Sequence, residues 1–290
     1  MLALFTMPIL SNGQEPDLLS LLEDDENKTN YTIAAFKTDR VINLHSLENT
    51  LPGLLDVKIS HRFGFINSGI KEFFGIDAAE IRIGFSYGLS EQLTVGVGRS
   101  SYEKTYDGYA KWKILRQSTG LRNMPISAVF LVTGAVKTSD PLDPAIDYDI
   151  TNRLTYAYQL ILGRKFSDRF SFQISPTLVH RNLVVNSSEK NDVVAIGFGG
   201  RHKLTKRLAL NAEYIYVLPD QLDPDYKRSF SIGFDIETGG HVFQLHFSNS
   251  TSMIEKGFIG ETIGSWGSGD IHFGFNISRV FTVKRPPVEG

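Results

Sequence analysis

From Leu55 onward, apolar side chains recur at every second residue in one short segment after another, and only an extended strand puts such residues on a single face. Val57, Ile59, His61 and Phe63 alternate with Lys58, Ser60 and Arg62. Ile81, Ile83, Phe85 and Tyr87 alternate with Arg82, Gly84 and Ser86, and Leu93, Val95 and Val97 with Thr94, Gly96 and Gly98. The pattern returns at Leu154, Tyr156, Tyr158, Leu160 and Leu162, at Phe170, Phe172 and Ile174, and in the runs starting at Leu208 and Phe230. It ends with Ile271, Phe273, Phe275, Ile277 and Phe281. We expect strands near 55–63, 80–87, 92–101, 106–116, 125–134, 152–163, 169–179, 193–203, 207–217, 227–236, 241–248 and 270–281, about 12 in all.

A repeated formula shows how these strands connect. Leu89-Ser-Glu-Gln-Leu-Thr-Val95, Phe166-Ser-Asp-Arg-Phe-Ser-Phe172 and Leu204-Thr-Lys-Arg-Leu-Ala-Leu210 each run apolar, hydroxyl, charged, polar and then into a strand. The hydroxyl caps a tight turn by bonding nearby backbone. Gly239-Gly240 is a two-residue hairpin signal that sets Ile236 opposite Phe243. Tight turns thus alternate with longer links, which is the pattern of an outer-membrane barrel with short periplasmic turns and long external loops. Two links fit this less well: 102–105 is short where a long loop is expected, and 117–124 is long where a turn is expected.

The second face of the strands separates a membrane barrel from a lipocalin-like barrel or a soluble sandwich. It carries Lys58, Arg62, Arg82, Lys111, Lys113, Arg153 and Asp235 among many glycines, too polar and too thin for a dry core. The apolar face ends in aromatic residues, as at an interface girdle. The expected fold is therefore all-β, a transmembrane antiparallel up-and-down β-barrel over 55–283, located in the bacterial outer membrane. Phe85, Val95, Leu160, Phe172, Leu210, Phe234 and Phe273 should face its lipid. No apolar run approaches the length of a membrane helix. Twenty Phe, 11 Tyr and 26 Gly agree with β structure.

Before the barrel, Leu2 to Leu10 has the length of an export-signal apolar region and lacks a basic start, so residues 1–13 read as a residual signal peptide. Residues 14–54 form an acidic arm, with Glu23, Asp24, Asp25 and Glu26 consecutive. Their apolar pieces Ile33, Phe36, Val41, Ile42 and Leu44 have no sustained period, which leaves a plug, a periplasmic segment or a first strand open. Residues 284–290 are a tail.

Over about 36–283 the chain resembles an uncharacterised family of Bacteroidota outer-membrane β-barrel proteins known only as a domain of unknown function. The residues that carry the likeness include Ile59-Ser-His-Arg-Phe-Gly64, Val95-Gly-Val-Gly-Arg-Ser-Ser101, Leu115-Arg-Gln-Ser-Thr-Gly120, Pro176-Thr-Leu-Val-His-Arg-Asn182 and Gly269-Asp-Ile-His-Phe-Gly-Phe-Asn-Ile-Ser-Arg279. The resemblance implies the outer membrane and a barrel, and brings no activity or catalytic residue with it.

The residues themselves point away from catalysis. No cysteine is present, which removes disulfides and thiolate chemistry. The net charge of −2 has no basic block for nucleic acid, and no phosphate-binding glycine motif opens a helix. His61 lies on the apolar face with no serine on that face of its neighbouring strands, so a lipid-side nucleophile and base do not meet. If Ser248 pairs with Asp270, His246 and His272 face each other near Asp235. Such a set could hold a divalent metal, but we read it as a hydrogen-bonded polar patch and expect no metal and no cofactor. The lumen-facing candidates are Lys58, Arg62, Arg82, Lys111, Lys113, Arg153, Asp235, His246 and His272. The cations Lys58, Arg62, Arg82, Lys111, Lys113, Arg153 and Arg201 outnumber Asp107, Glu213 and Asp235, so the wall is expected to be cationic. The expected function is a channel for small, anionic solutes. The alternative is a non-transporting barrel that anchors or docks a periplasmic or surface protein partner.

Overall fold

The computed structural model describes residues 28–140, 149–184, 186 and 188–284. The expected signal remnant at 1–13, the acidic run Glu23 to Glu26 and nearly all of the tail lie outside them.

Twelve antiparallel strands close into a barrel. They are β1 (Leu54–Phe65), β2 (Ala79–Gly88), β3 (Leu93–Ser100), β4 (Tyr106–Leu115), β5 (Ser127–Val136), β6 (Leu154–Lys165), β7 (Phe170–Arg181), β8 (Asp192–Lys203), β9 (Leu208–Val217), β10 (Phe230–Thr238), β11 (His241–Ser248) and β12 (His272–Thr282). Each pairs with its sequence neighbours, and β12 closes on β1 with Phe275 opposite His61. Closure leaves no strand edge unpaired.

The repeated turn formula acts as its chemistry requires. Ser90 Oγ accepts the N–H groups of Gln92 and Leu93 at 3.3 and 3.1 Å. Ser167 Oγ does the same for Arg169 and Phe170, and Thr205 Oγ1 for Arg207 and Leu208. Ile236 stands opposite Phe243 across the diglycine turn, as the sequence register required. The two irregular links have structural causes. Residues 102–104 make a single 3-10 turn with Glu103 and Lys104 at positive φ. In the longer link, Ser118–Gly120 pairs with Thr29–Tyr31 in a small ladder outside the barrel.

Burial alternates with strand parity. Phe85, Leu160 and Phe234 are exposed on the outer side at 42, 38 and 43%, and Val95, Phe172, Leu210 and Phe273 share that side half-buried. His61 also points out, stacked on Phe275 with ring centroids 4.9 Å apart.

The inner wall differs from expectation on one half of the circumference. On β10–β12 and β1–β4 it is polar, with Asp56, Lys58, Arg62, Arg82, Lys111, Asp235, Gln244 and Asn276 all buried. On β5–β9, however, Val129, Leu131, Ala157, Ile161, Val179, Val193 and Ile215 point inward and are buried too. That half is mixed on its inner face, where Gln159, Gln173, Arg201, Asn211 and Glu213 stand among the apolar side chains, and the apolar ones pack against protein, chiefly Phe36, Leu44, Leu47, Phe258 and Ile259.

Candidate functional site

Residues 32–53 fill the lumen from the end bearing the tight turns. They enter beside the β4–β5 link, where the Thr32 N–H donates to Gln117 O at 2.8 Å. They leave at Gly53, whose N–H donates to Gly88 O. Between these points the chain doubles back on itself: the Val41 N–H donates to Leu44 O at 2.7 Å and the Ser46 N–H to Asp39 O at 2.8 Å. The tip of this plug sits on one carboxylate. Glu213 of β9 accepts the backbone N–H groups of Ile42, Asn43 and Leu44 at 3.1, 2.9 and 3.0 Å. Gln244 and Gln173 donate to Val41 O and His45 O at 2.6 and 2.7 Å. The wall glycines make room, since a Cβ on Gly197 would lie 3.0 Å from Leu44 and one on Gly199 3.1 Å from Val41.

The cations expected to line an open wall are engaged instead. Lys58 is ion-paired with Asp39 of the plug, whose carboxylate also accepts Ser86 Oγ at 3.0 Å and Tyr109 Oη at 3.2 Å. Lys111 donates to the carbonyl oxygens of Asp39 and Glu48. Arg62 donates to Asn43 Oδ1 at 2.8 Å and to Ser250 O and Ser252 O. Arg82 grips Asp107 at 2.9 and 2.5 Å, and Arg201 lies 4.0 Å from Asp235. Asp235 accepts Gln244, which in turn accepts Asn276, both at 2.6 Å. Lys113 is half-buried on the same face near the tight-turn end. Arg153 is not on the wall: the strand starts one residue later, and Arg153 closes the turn Ile150–Arg153, donating to Ser139 O at 3.0 Å.

A second segment closes the other end. The long link between β11 and β12 folds inward, carrying Ile254 and the short helix α1 (Glu255–Gly260) with Phe258 and Ile259 buried. It meets the plug directly. Glu255 Oε1 lies 3.3 Å from Arg40 Nη1 and 3.6 Å from His45 Nε2.

A barrel whose outer face is apolar from rim to rim, and whose inner wall is partly charged, belongs in a bilayer. The family described as a membrane bound beta barrel domain (DUF5777) matches residues 36–281, from the plug through the last strand. This chain belongs to that family. No curated protein matches it. Among solved structures, the NanC porin is similar at 10% identity and a TM-score of 0.48, covering 80% of this chain and 100% of that one. The KdgM porin in complex with disordered oligogalacturonate aligns at 9% and 0.47 over 79 and 99% of the two chains. The COG4313 outer membrane channel from Pseudomonas putida F1 aligns at 14% and 0.47 over 81 and 97%. At such identities the likeness concerns the fold alone.

In this DUF5777 barrel His246 and His272 do not face each other. Ser248, not His246, stands opposite His272, a shift of two residues from the assumed register. His246 Nε2 lies 3.2 Å from the Arg62 guanidinium, and His272 bonds Thr251 Oγ1 at 3.0 Å and Phe63 O at 2.7 Å. A guanidinium beside an imidazole repels a metal cation, so the pair is part of a hydrogen-bonded network. Asp56, buried and accepting Ser278 Oγ at 2.5 Å, is a wall carboxylate that the sequence count omitted. Asp39, Arg40, Asn43 and Glu255 were missed as well. The available signal was four charged residues, Lys37, Asp39, Arg40 and Glu48, among the unpatterned apolar pieces of the arm.

The inward-folded link is latched at its rim by Lys256, which lies 2.6 Å from Glu103 and 2.8 Å from Glu261, while Lys137 also pairs with Glu103. Burial alone would raise the Glu103 carboxyl, yet Lys256 and Lys137 overcome it and hold Glu103 below its ordinary value. Burial keeps Glu261 above its ordinary value. As pH falls, Glu261 therefore protonates first, and the Glu103 contact, present above the unfolded carboxylate range, is lost last. Replacing Glu103 with Ala should cost the latch about 1–3 kcal/mol and expose Lys256 to trypsin. If wild type and E103A resist trypsin equally, the latch has no such role.

Proposed function

We propose that this chain is an outer-membrane channel for small solutes, held shut by its own N-terminal plug and by the β11–β12 link. The tight-turn end faces the periplasm and the long loops face outside. What supports the reading is where the buried charge is spent. Lys58, Lys111, Arg62 and Glu213 on the wall find their partners in the plug. Burying charge is costly, and a permanently sealed barrel gains more from apolar packing of the same volume. A wall that is charged where it meets the plug suits a lumen that is at times filled with water. Arg82 and Asp107 satisfy each other within the wall. Withdrawal of the plug leaves three wall cations, Lys58, Arg62 and Lys111, against the carboxylates Glu213 and Asp56, and a cationic surplus in a narrow lumen concentrates anions.

The absence of cysteine permits a clean test. Asn43 Nδ2 and Ser231 Oγ are 3.1 Å apart, so N43C with S231C can join plug to wall. In planar bilayers we expect openings of the wild type, none of the oxidised double variant, and recovery on reduction. Deletion of 32–50 should conduct steadily with an anion preference that weakens in K111E. A folded deletion variant that never conducts would instead favour a barrel that docks a periplasmic or surface protein, the reading to which a filled lumen also lends itself.

A further inference from the structure

The outer surface carries a cleft at the long-loop rim that the plugged lumen does not involve. It lies between the ends of β9 and β10 and the tip of the β11–β12 link, has a volume of about 380 Å³, and is lined by Tyr214, Phe230 and Trp266 on one side and Lys227 and Arg228 on the other. Its rigid floor is built by pairing and stacking. Tyr214 stands opposite Phe230, and Trp266 packs edge-on against Phe230 with centroids 5.1 Å apart while its indole N–H donates to Phe230 O at 2.9 Å. Buried Asn249 ties the three segments together, accepting the Phe230 N–H at 2.8 Å and donating to Arg228 O and Gly264 O.

The cations in this cleft are not spent. Lys227 and Arg228 are exposed, no carboxylate lines the cleft, and neither makes an ion pair among the described residues. Lys227 Nζ reaches only the Pro224 carbonyl at 2.8 Å, and the Arg228 guanidinium lies over the Tyr216 ring, 4.4 Å from its centroid. Below them the outward apolar face continues without a break through Phe234, Leu245 and Phe247, exposed at 42–43%. Two adjacent positive charges above aromatic rings, at the boundary between an apolar belt and water, match one ligand chemistry: a phosphate-bearing lipid with its headgroup at the rim and its acyl chains on the belt.

We propose that Lys227 and Arg228, with the Trp266–Phe230–Tyr214 floor, form a binding site for the phosphate headgroup of an anionic lipid in the leaflet at the long-loop end. The proposal rests on the membrane barrel and not on whether its lumen opens. The test is native mass spectrometry of the full chain released from detergent, titrated with diphosphorylated lipid A and, separately, with the same lipid stripped of its phosphates. K227A/R228A should weaken binding of the phosphorylated lipid at least tenfold, and W266A several-fold. K206A/R207A, which removes two exposed cations at the opposite rim, should leave it unchanged. Inorganic phosphate at millimolar concentration should not displace the lipid, because the cleft is open and the acyl chains supply much of the affinity. K227A/R228A should keep the heat-dependent gel mobility of the folded barrel, since both side chains are exposed, and W266A is compared only where it keeps that mobility too. The proposal is overturned if phosphate-free lipid binds as tightly, if both cation pairs weaken binding equally, or if inorganic phosphate competes the lipid away.

Discussion

Replacing Glu213 with Leu should release the plug. The carboxylate is the acceptor for three consecutive buried backbone N–H groups at the plug tip, and the side chain itself is only 2% exposed. A leucine of similar size leaves those donors with neither partner nor water, at about 1–3 kcal/mol for each. Even the lower bound, about 3 kcal/mol in sum, is roughly a hundredfold in the equilibrium between seated and withdrawn plug. Ile42, 2% exposed at the tip, is a suitable reporter. In a chain with no native cysteine, I42C should react with a membrane-impermeant maleimide at least tenfold faster with E213L than with Glu213 in place. E213Q keeps one acceptor oxygen and should fall between. Identical labelling rates in all three would show that the plug is not held by its tip.

The second large effect concerns the outer face. Phe234 lies midway along β10, 43% exposed, flanked across the ladder by Leu210 on β9 and Leu245 on β11. An arginine there must put its charge against hydrocarbon at mid-depth, which costs about 2–4 kcal/mol in transmembrane barrels. At the rim the cost falls to about 0–1 kcal/mol. F234R should therefore lower reversible folding stability in lipid vesicles by the larger amount, and T238R, at the exposed end of the same strand, by no more than the smaller one. A denaturant titration compares the two directly. Equal midpoints for F234R and wild type would mean that this face does not meet lipid.

The two outcomes probe different levels of the sequence. Everything set by local chemistry was legible in it. Strand parity follows from side chains alternating by 180° along extended backbone, so Phe85 and Phe234 were placed outside without knowledge of any partner strand. The hydroxyl turns at Ser90, Ser167 and Thr205 bond within three residues, and the diglycine hairpin fixes the register of Ile236 with Phe243 over seven positions. Such contacts need no tertiary information. Long links blurred that legibility. The β11–β12 register was misjudged by two residues because some twenty residues intervene, and a shift of two keeps the faces right while separating His246 from His272. Arg153 was misplaced by one residue at a strand start for a similar reason.

The content of the lumen, by contrast, is set by long-range packing. Residues 32–53 have no period, so their sequence does not choose between lying inside a barrel, beside it or along it. The choice comes from complementarity with residues about 170 to 200 positions away, Glu213 with the tip amides and Gln244 with Val41, which no local pattern encodes. The same complementarity turned a wall that reads as cationic into one whose charges are paired, Lys58 with Asp39 above all. It also explains why β5–β9 carry Val129, Leu131 and Ile161 inward, a departure from the alternating rule that makes sense only with the plug in place. A membrane barrel of about twelve strands and its outward face can be read from the residues alone, because they follow from backbone geometry and solvent; whether the barrel stands open or shut follows from long-range packing, which has no period to read.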